Sequence, residues 1–185
     1  MEAVRLDRFY TYADYCTWDD DLRWELIDGV PYLMSPAPSW DHQSINAALL
    51  GQIWQFLRDK PCMVFAAPFD VRLNADGSDD TVVQPDIVVI CDESKISRKS
   101  CDGAPDMVVE ILSPSTSRRD MTEKLRLYER FGVREYWIVD PERKIVQSYI
   151  LENGRYFIKA YTDADTAPVH VLQGCVVDLK VVFEG

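Results

Sequence analysis

Val83-Gln84-Pro85-Asp86-Ile87-Val88-Val89-Ile90 and Pro105-Asp106-Met107-Val108-Val109-Glu110-Ile111-Leu112 decide how this chain is read. Both are β-branched, nearly continuous apolar runs, the pattern of strands buried on both faces of a sheet. Each is broken by a carboxylate, Asp86 in the first and Glu110 in the second. A lone ionised carboxylate in a buried strand is costly or is forced to neutralise, so two of them on neighbouring strands point to a shared cation.

Strand alternation places Asp86, Val88 and Ile90 on one face, and Asp106, Val108, Glu110 and Leu112 on one face of the next strand. If Asp86 opposes Glu110, their Cβ atoms lie roughly 4.5 to 5.5 Å apart, within reach of one divalent ion. Asp106 is four residues from Glu110, roughly 13 Å at the usual rise, and reads as the residue that opens its strand.

A helix is expected over residues 120–131, stopped by Gly132, after a polar loop over 113–119. Either Asp120 with Glu123 or Ser117 with Asp120 supplies its N-cap and capping-box partner. Met121, Lys124, Leu125 and Tyr128 fall at i, i+3, i+4 and i+7, so Lys124 lies in the stripe facing the sheet. It reads either as a side chain snorkelling to water or as an ammonium aimed at a phosphate or a metal-bound water. The two unexplained acids favour the second reading.

Upstream, residues 23–27 and 30–34 flank Asp28-Gly29, a type I′ hairpin signal. Glu25 alternates there with Arg23 and Ile27; taken alone it reads as a surface strand residue, and it could also supply a metal-ligand oxygen. A helix capped by Asp41 is expected to run to about Arg58, with His42, Ile45, Leu49, Ile53 and Phe56 or Leu57 as its apolar stripe. His42, opening that stripe, reads as a core or cap residue rather than a catalyst. Short strands are expected over 64–67 and 70–73, a hairpin over 145–161 around Asn153-Gly154, and closing strands over 169–172 and 176–182. The order describes an α/β (α+β) fold: a mixed β-sheet core flanked by helices, with added N-terminal and C-terminal β-hairpins. At 185 residues and 47% hydrophobic content, one domain over 1–185 is expected.

The formal charge of -11 disfavours long-range attraction to nucleic acid. Its distribution is uneven. Residues 113–134 hold six basic residues against three acids, while the first 41 hold three against nine. The basic segment reads as a solvated helix face or as a phosphate-facing patch. Five cysteines, widely spaced and never in C-x-x-C, suggest reduced packing residues rather than a disulfide framework or zinc site. No stretch is apolar enough to cross a bilayer and residues 1–7 lack a basic-then-apolar leader, so no membrane association and a cytoplasmic location are expected.

Asp86, then Glu110, then a basic residue, on apolar strands, resembles the PD-(D/E)XK restriction-endonuclease-like superfamily. More specifically, nearly the whole chain resembles the Uma family of bacterial endonucleases. The matching segments are Trp24-Glu25-Leu26-Ile27-Asp28-Gly29, His42, Gln84-Pro85-Asp86-Ile87-Val88-Val89, Val109-Glu110-Ile111-Leu112-Ser113-Pro114-Ser115-Thr116, Lys124 with Tyr128, and Gly132-Val133-Arg134-Glu135-Tyr136-Trp137-Ile138-Val139-Asp140. The resemblance implies that Asp86 and Glu110 are the metal carboxylates, Glu25 an accessory acid and Lys124 the motif lysine; the backbone carbonyl of Ile111 is a further candidate ligand. The position two after Glu110, where the superfamily carries its lysine, is Leu112 here, and the role moves to Lys124. His42 and Gln84 become accessory residues.

These readings together predict a Mg²⁺- or Mn²⁺-dependent nuclease acting on nucleic acid, DNA above all, with Arg118 and Arg119 on the phosphate backbone. A homodimer, with the strands after Pro141 as its contact, is the expected assembly. A catalytically silent module that binds a protein through its acidic surface is the alternative of another class. A carboxylate-pair glycosidase ranks below both, because Lys124 has no task there.

Overall fold

The computed structural model describes residues 8–19, 21–34, 38–75, 77–114 and 117–184. Expectations that touch residues 1–7, Asp20, the 35–37 loop, Asp76, Ser115 and Thr116 lie outside the described residues.

A one-turn helix α1 (Tyr12–Tyr15), capped by Thr11, precedes the hairpin β1 (Trp24–Ile27) and β2 (Val30–Leu33). Asp28 and Gly29 at its tip have φ of 48° and 77°, the two positive values that a type I′ turn requires. A Cβ at Gly29 would stand 2.9 Å from the Phe9 ring, so both conformation and space call for glycine. Helix α2 (Trp40–Leu57) follows and buries His42, Ile45, Leu49, Ile53 and Leu57, the expected stripe. Its cap is Ser39, whose side chain accepts the His42 N–H, and Asp41 lies instead in the first turn.

Next come β3 (Met63–Ala66), β4 (Asp70–Arg72), β5 (Val82–Val83), β6 (Ile87–Ile90), β7 (Ser100–Asp102) and β8 (Met107–Ile111). A helical crossover leads from β8 to β9 (Glu135–Asp140), and β8 and β9 run parallel. The chain closes with β10 (Ile145–Glu152), β11 (Arg155–Thr162), β12 (Thr166–Pro168), β13 (Val176–Asp178) and helix α3 (Leu179–Glu184).

Six strands form the larger sheet in the order β11-β10-β9-β8-β6-β3, and five form a second in the order β2-β1-β5-β4-β7. The fold is thus the expected mixed α+β arrangement. The run from Val83 to Ile90 is not one strand, however. Val82 and Val83 pair with β1 and β4 in the smaller sheet, whereas Ile87–Ile90 pair with β3 and β8 in the larger one. Pro85, which has no N–H to give a ladder, lies at the change of sheet. Asp86 therefore stands where the two sheets meet.

Each face of the larger sheet has its own core. Ile87, Val89, Met107, Val109 and Ile111 pack toward the α2 stripe and the C-terminal α3. Val88, Ile90 and Val108 pack on the other face with Leu127, Tyr128 and Tyr136. The alternation expected from sequence is the one observed, and it puts Glu110 on the second face.

Three expectations are corrected. Cys62 and Cys91, which directly precede and follow the paired residues Met63 and Ile90, form a disulfide, while Cys101 and Cys175 are free and buried. Sequence spacing hides this pair because strand pairing, not a local motif, brings them together. The 169–172 segment is a turn rather than a strand, and residues 179–184 form a helix, with Leu179 and Val182 buried three apart on one side. The polar segment before Asp120 is already helical from Ser117. No described helix is long and apolar enough to cross a membrane.

Candidate functional site

The crossover between β8 and β9 is helical over Ser117–Arg119, takes a π turn over Asp120–Lys124 and continues as an α-helix over Leu125–Phe131. Gly132 ends it in the left-handed conformation, as the sequence predicts. Asp120 is therefore inside the helix and not its cap. A π turn places an extra residue in one helical turn, a feature that recurs at functional sites. Here both ends of the π segment, Asp120 and Lys124, point into the protein and are buried.

Lys124 is 4% exposed and lies on the face expected of it. Its Nζ donates to Glu25 Oε1 at 2.7 Å and to Glu110 Oε1 at 2.8 Å, and Asp120 Oδ1 stands 3.7 Å away. Glu25 is 2% exposed, so the surface-strand reading of that residue is overturned. It is buried because β1 borders β5 at the seam of the two sheets, where its Oε1 also accepts the Gln84 N–H at 3.1 Å. The Tyr128 hydroxyl donates to Glu110 Oε1 at 2.9 Å, one helical turn beyond Lys124.

Asp86 lies one register step beyond Ile87–Val109, which sets it across from Glu110. Its Oδ2 accepts the Ile111 N–H at 2.8 Å and lies 3.2 Å from His42 Nε2. His42 is thus neither a mere core residue nor a cap: the first turn of α2 delivers it to the sheet seam. Asp106, by contrast, opens β8 as expected, with Oδ2 taking the Cys91 N–H at 2.7 Å and Oδ1 pairing with Arg134 at 2.9 Å.

The electrostatics follow from this crowding. Burial pushes the Glu110 carboxyl well above its ordinary range, Lys124 opposes that, and Asp120, Asp86 and Glu25 add to it. Burial would lower Lys124, but Glu110, Glu25 and Asp120 together outweigh it and hold the ammonium charged. Burial likewise lowers His42, and the hydrogen bond and charge of Asp86 reverse the direction, leaving the imidazole raised. Burial keeps the Tyr128 hydroxyl protonated, so it remains a donor to Glu110.

Four carboxylates, Glu25, Asp86, Glu110 and Asp120, therefore face one lysine and one histidine, and the cluster has negative charge to spare. The bonds above use Oδ2 of Asp86 and Oε1 of Glu110, which leaves the second oxygen of each for a cation. Among the described residues, no group of three or more His, Cys, Asp or Glu side chains is arranged to hold a metal ion. This donor set of two opposed carboxylates fits a hard ion that keeps most of its own water, as Mg²⁺ does, and not a fully caged one.

Gln84 does not point at the carboxylates; its side chain bonds Arg23, Tyr15 and Asp70. Arg119 stacks its guanidinium 4.4 Å over the Tyr32 ring beside the same seam, and Arg118 is exposed. Two residues of the cluster escaped the sequence reading of the site. Asp120 was masked by its resemblance to a cap, although its i, i+4 spacing from Lys124 was a usable signal. Tyr128 was legible as part of the apolar stripe and of the family match with Lys124, but its bond to Glu110 was not.

A family model described as "Putative restriction endonuclease", Uma2, matches residues 9–180. The chain belongs to the Uma2 family. Its match spans every residue of the cluster. The solved structure of a DUF820 protein from Anabaena variabilis, described as a "putative nuclease", is similar to this Uma2 chain with a TM-score of 0.75 at 20% identity. The likeness covers 95% of this chain and 98% of that one, and it shows a common fold. No curated protein matches the sequence.

Proposed function

We propose that this Uma2 protein is a divalent-metal-dependent endonuclease that hydrolyses phosphodiester bonds of nucleic acid, DNA above all. The observation that carries the reading is Asp86 opposed to Glu110, with the Lys124 ammonium bonded to Glu110. Membership of Uma2 supports it.

Asp86 and Glu110 would hold Mg²⁺ or Mn²⁺, with the Ile111 carbonyl as a further ligand. When bound, such an ion lowers the pKa of a water and neutralises charge on the phosphorus oxygens. Ile111 N–H and His42 fix the orientation of Asp86, and Tyr128 fixes that of Glu110. Lys124 has three N–H groups, two of them given to Glu25 and Glu110. The third is available to a phosphate oxygen or to the attacking water, which stabilises negative charge as it develops. Glu25 acts by holding that ammonium in place. Arg118 and Arg119 contact neighbouring phosphates, giving affinity without base selection.

A homodimer belongs to the same reading, since a duplex presents two strands. β11, the outer strand of the larger sheet, is its contact, with Phe157 and Ile158 each 54% exposed. The test is cleavage of labelled single-stranded and duplex DNA and RNA by the purified protein with Mg²⁺ or Mn²⁺. Cleavage that stops with chelator and in Asp86→Ala supports the assignment; cleavage unchanged in Asp86→Ala overturns it.

A further inference from the structure

Arg23 extends β1 by one residue, because its carbonyl accepts the Met34 N–H at 2.9 Å and so continues the hairpin ladder. Two residues from Glu25, its side chain leaves the same face of the strand, roughly 7 Å further along. There it meets Gln84, two residues before Asp86. Arg23 Nε and Nη2 both donate to Gln84 Oε1, at 3.1 and 2.7 Å.

A neutral anchor sets Arg23 apart. Arg72, Arg130 and Arg134 all bond carboxylates. Among the described residues, no carboxylate lies within 4.0 Å of the Arg23 guanidinium. The amide is oriented by its other end: Gln84 Nε2 donates to Asp70 Oδ1 at 2.8 Å and to the Tyr15 hydroxyl at 3.0 Å, and that hydroxyl lies 3.2 Å from Asp70 Oδ1. A carboxylate can only accept, so the amide NH₂ must face Asp70 and its oxygen must face Arg23. Gln84 thus stands between Arg23 and Asp70 while fixing two of the five guanidinium donors. Among the described residues no carboxylate pairs with this charge, Arg23 is exposed, and its side chain leaves the face of β1 that carries Glu25, the partner of Lys124. A surface tie needs none of this, since a carboxylate at position 84 would grip the guanidinium more strongly.

We infer that Arg23, presented by Gln84, is a phosphate-binding residue that takes the nucleic-acid phosphate next to the scissile one. This rests on the nuclease reading and adds to it the residue that sets where the backbone lies across the site. Arg23 is a positioning residue: it holds substrate and does no chemistry.

The experiment measures binding of fluorescein-labelled single-stranded and duplex DNA by anisotropy, with Ca²⁺ in place of the catalytic ion, across about 50 to 200 mM salt. In Arg23→Gln, affinity falls about tenfold, as for loss of a hydrogen bond to a charged group. The slope of log affinity against log salt becomes shallower by about 0.9 on duplex or about 0.7 on single strands, the loss of one phosphate contact. Arg23→Lys keeps the slope and loses affinity, because charge remains and the fork does not. An Arg23→Gln slope equal to that of the unaltered protein, or unweakened binding in Arg23→Lys, overturns the assignment alone. An unaltered protein that binds neither these DNAs nor labelled RNA of the same lengths overturns the nuclease reading and this assignment with it.

Discussion

Asp86 stands across from Glu110 at the end of the β6–β8 ladder, one step past Ile87 and Val109. The two acids reach that position by different routes. Glu110 sits within a regular strand, whereas Asp86 sits at the bend where the chain leaves one sheet for the other. Both are held there by protein donors, which cost less than leaving a buried carboxylate bare.

Glu110→Gln is expected to keep the Lys124 and Tyr128 bonds through its amide oxygen while removing the charge a cation needs. Affinity for Mn²⁺ measured by calorimetry should fall by about 100-fold or more, beyond the usual effect of losing a residue that merely supports a ligand. The thermal midpoint should change little, because one negative charge leaves an overcrowded acidic cluster. Unaltered Mn²⁺ binding would remove Glu110 from the metal site.

Lys124→Met should destabilise the fold by about 3 to 5 kcal/mol, since Glu25, Glu110 and Asp120 lose the ammonium that neutralises them in a buried setting. Urea unfolding gives this number. Mn²⁺ should restore part of the loss, and should stabilise this variant more than the unaltered protein. A variant as stable as the parent would mean that water, not Lys124, solvates those acids.

The paired strands, both glycine-bearing hairpin turns and the α2 stripe were legible in the sequence because each depends on a local period or a φ sign. Asn153 and Gly154 at the second turn have φ of 52° and 77°, the same pair of signs as Asp28 and Gly29. The opposition of Asp86 and Glu110 was legible as a register hypothesis, since each interrupts an apolar run with a carboxylate. What stayed hidden depended on the chain changing direction. The break at Pro85 is invisible to hydrophobic pattern, because Val82–Val83 and Ile87–Ile90 are equally apolar. His42 and Gln84 find their partners across elements far apart in sequence, so no spacing within α2 or the 83–90 run announces them. The π turn was hidden because 3.6-residue periodicity cannot distinguish one inserted residue from a shifted cap.

The Cys62–Cys91 bond closes a separation of 29 residues and joins the outer strand β3 to its neighbour β6. Loop-closure entropy gives about 3 to 4 kcal/mol for a span of that length. The double variant Cys62→Ser with Cys91→Ser should unfold at correspondingly lower urea. Reductant should shift the parent toward the variant and leave the variant unmoved. Equal midpoints for parent and variant without reductant would show that β3 is held by its ladder and core contacts alone.

Glu135 offers a pH dependence separate from the candidate site. It is 0% exposed at the start of β9, yet takes three donors: Trp137 Nε1 at 2.7 Å, Ser148 Oγ at 3.2 Å and the Val171 N–H at 2.9 Å. Burial raises its carboxyl above the ordinary 4.5, and these donors with His170 only partly offset that. A carboxyl whose folded value lies above its unfolded one binds its proton more tightly in the native state. Its contribution is therefore largest below the unfolded value and is lost as pH rises through the folded one. Glu135→Gln has no proton to lose, so the parent should become less stable relative to this variant as pH rises from the ordinary carboxyl value of 4.5 through the higher folded one. Whatever constant offset the amide introduces where it faces the Val171 N–H cancels from that slope. Urea titrations of both proteins at several pH values measure it. A difference that is flat, or that grows in the parent's favour with pH, would mean that the three donors outweigh burial and that Glu135 is ionised without cost.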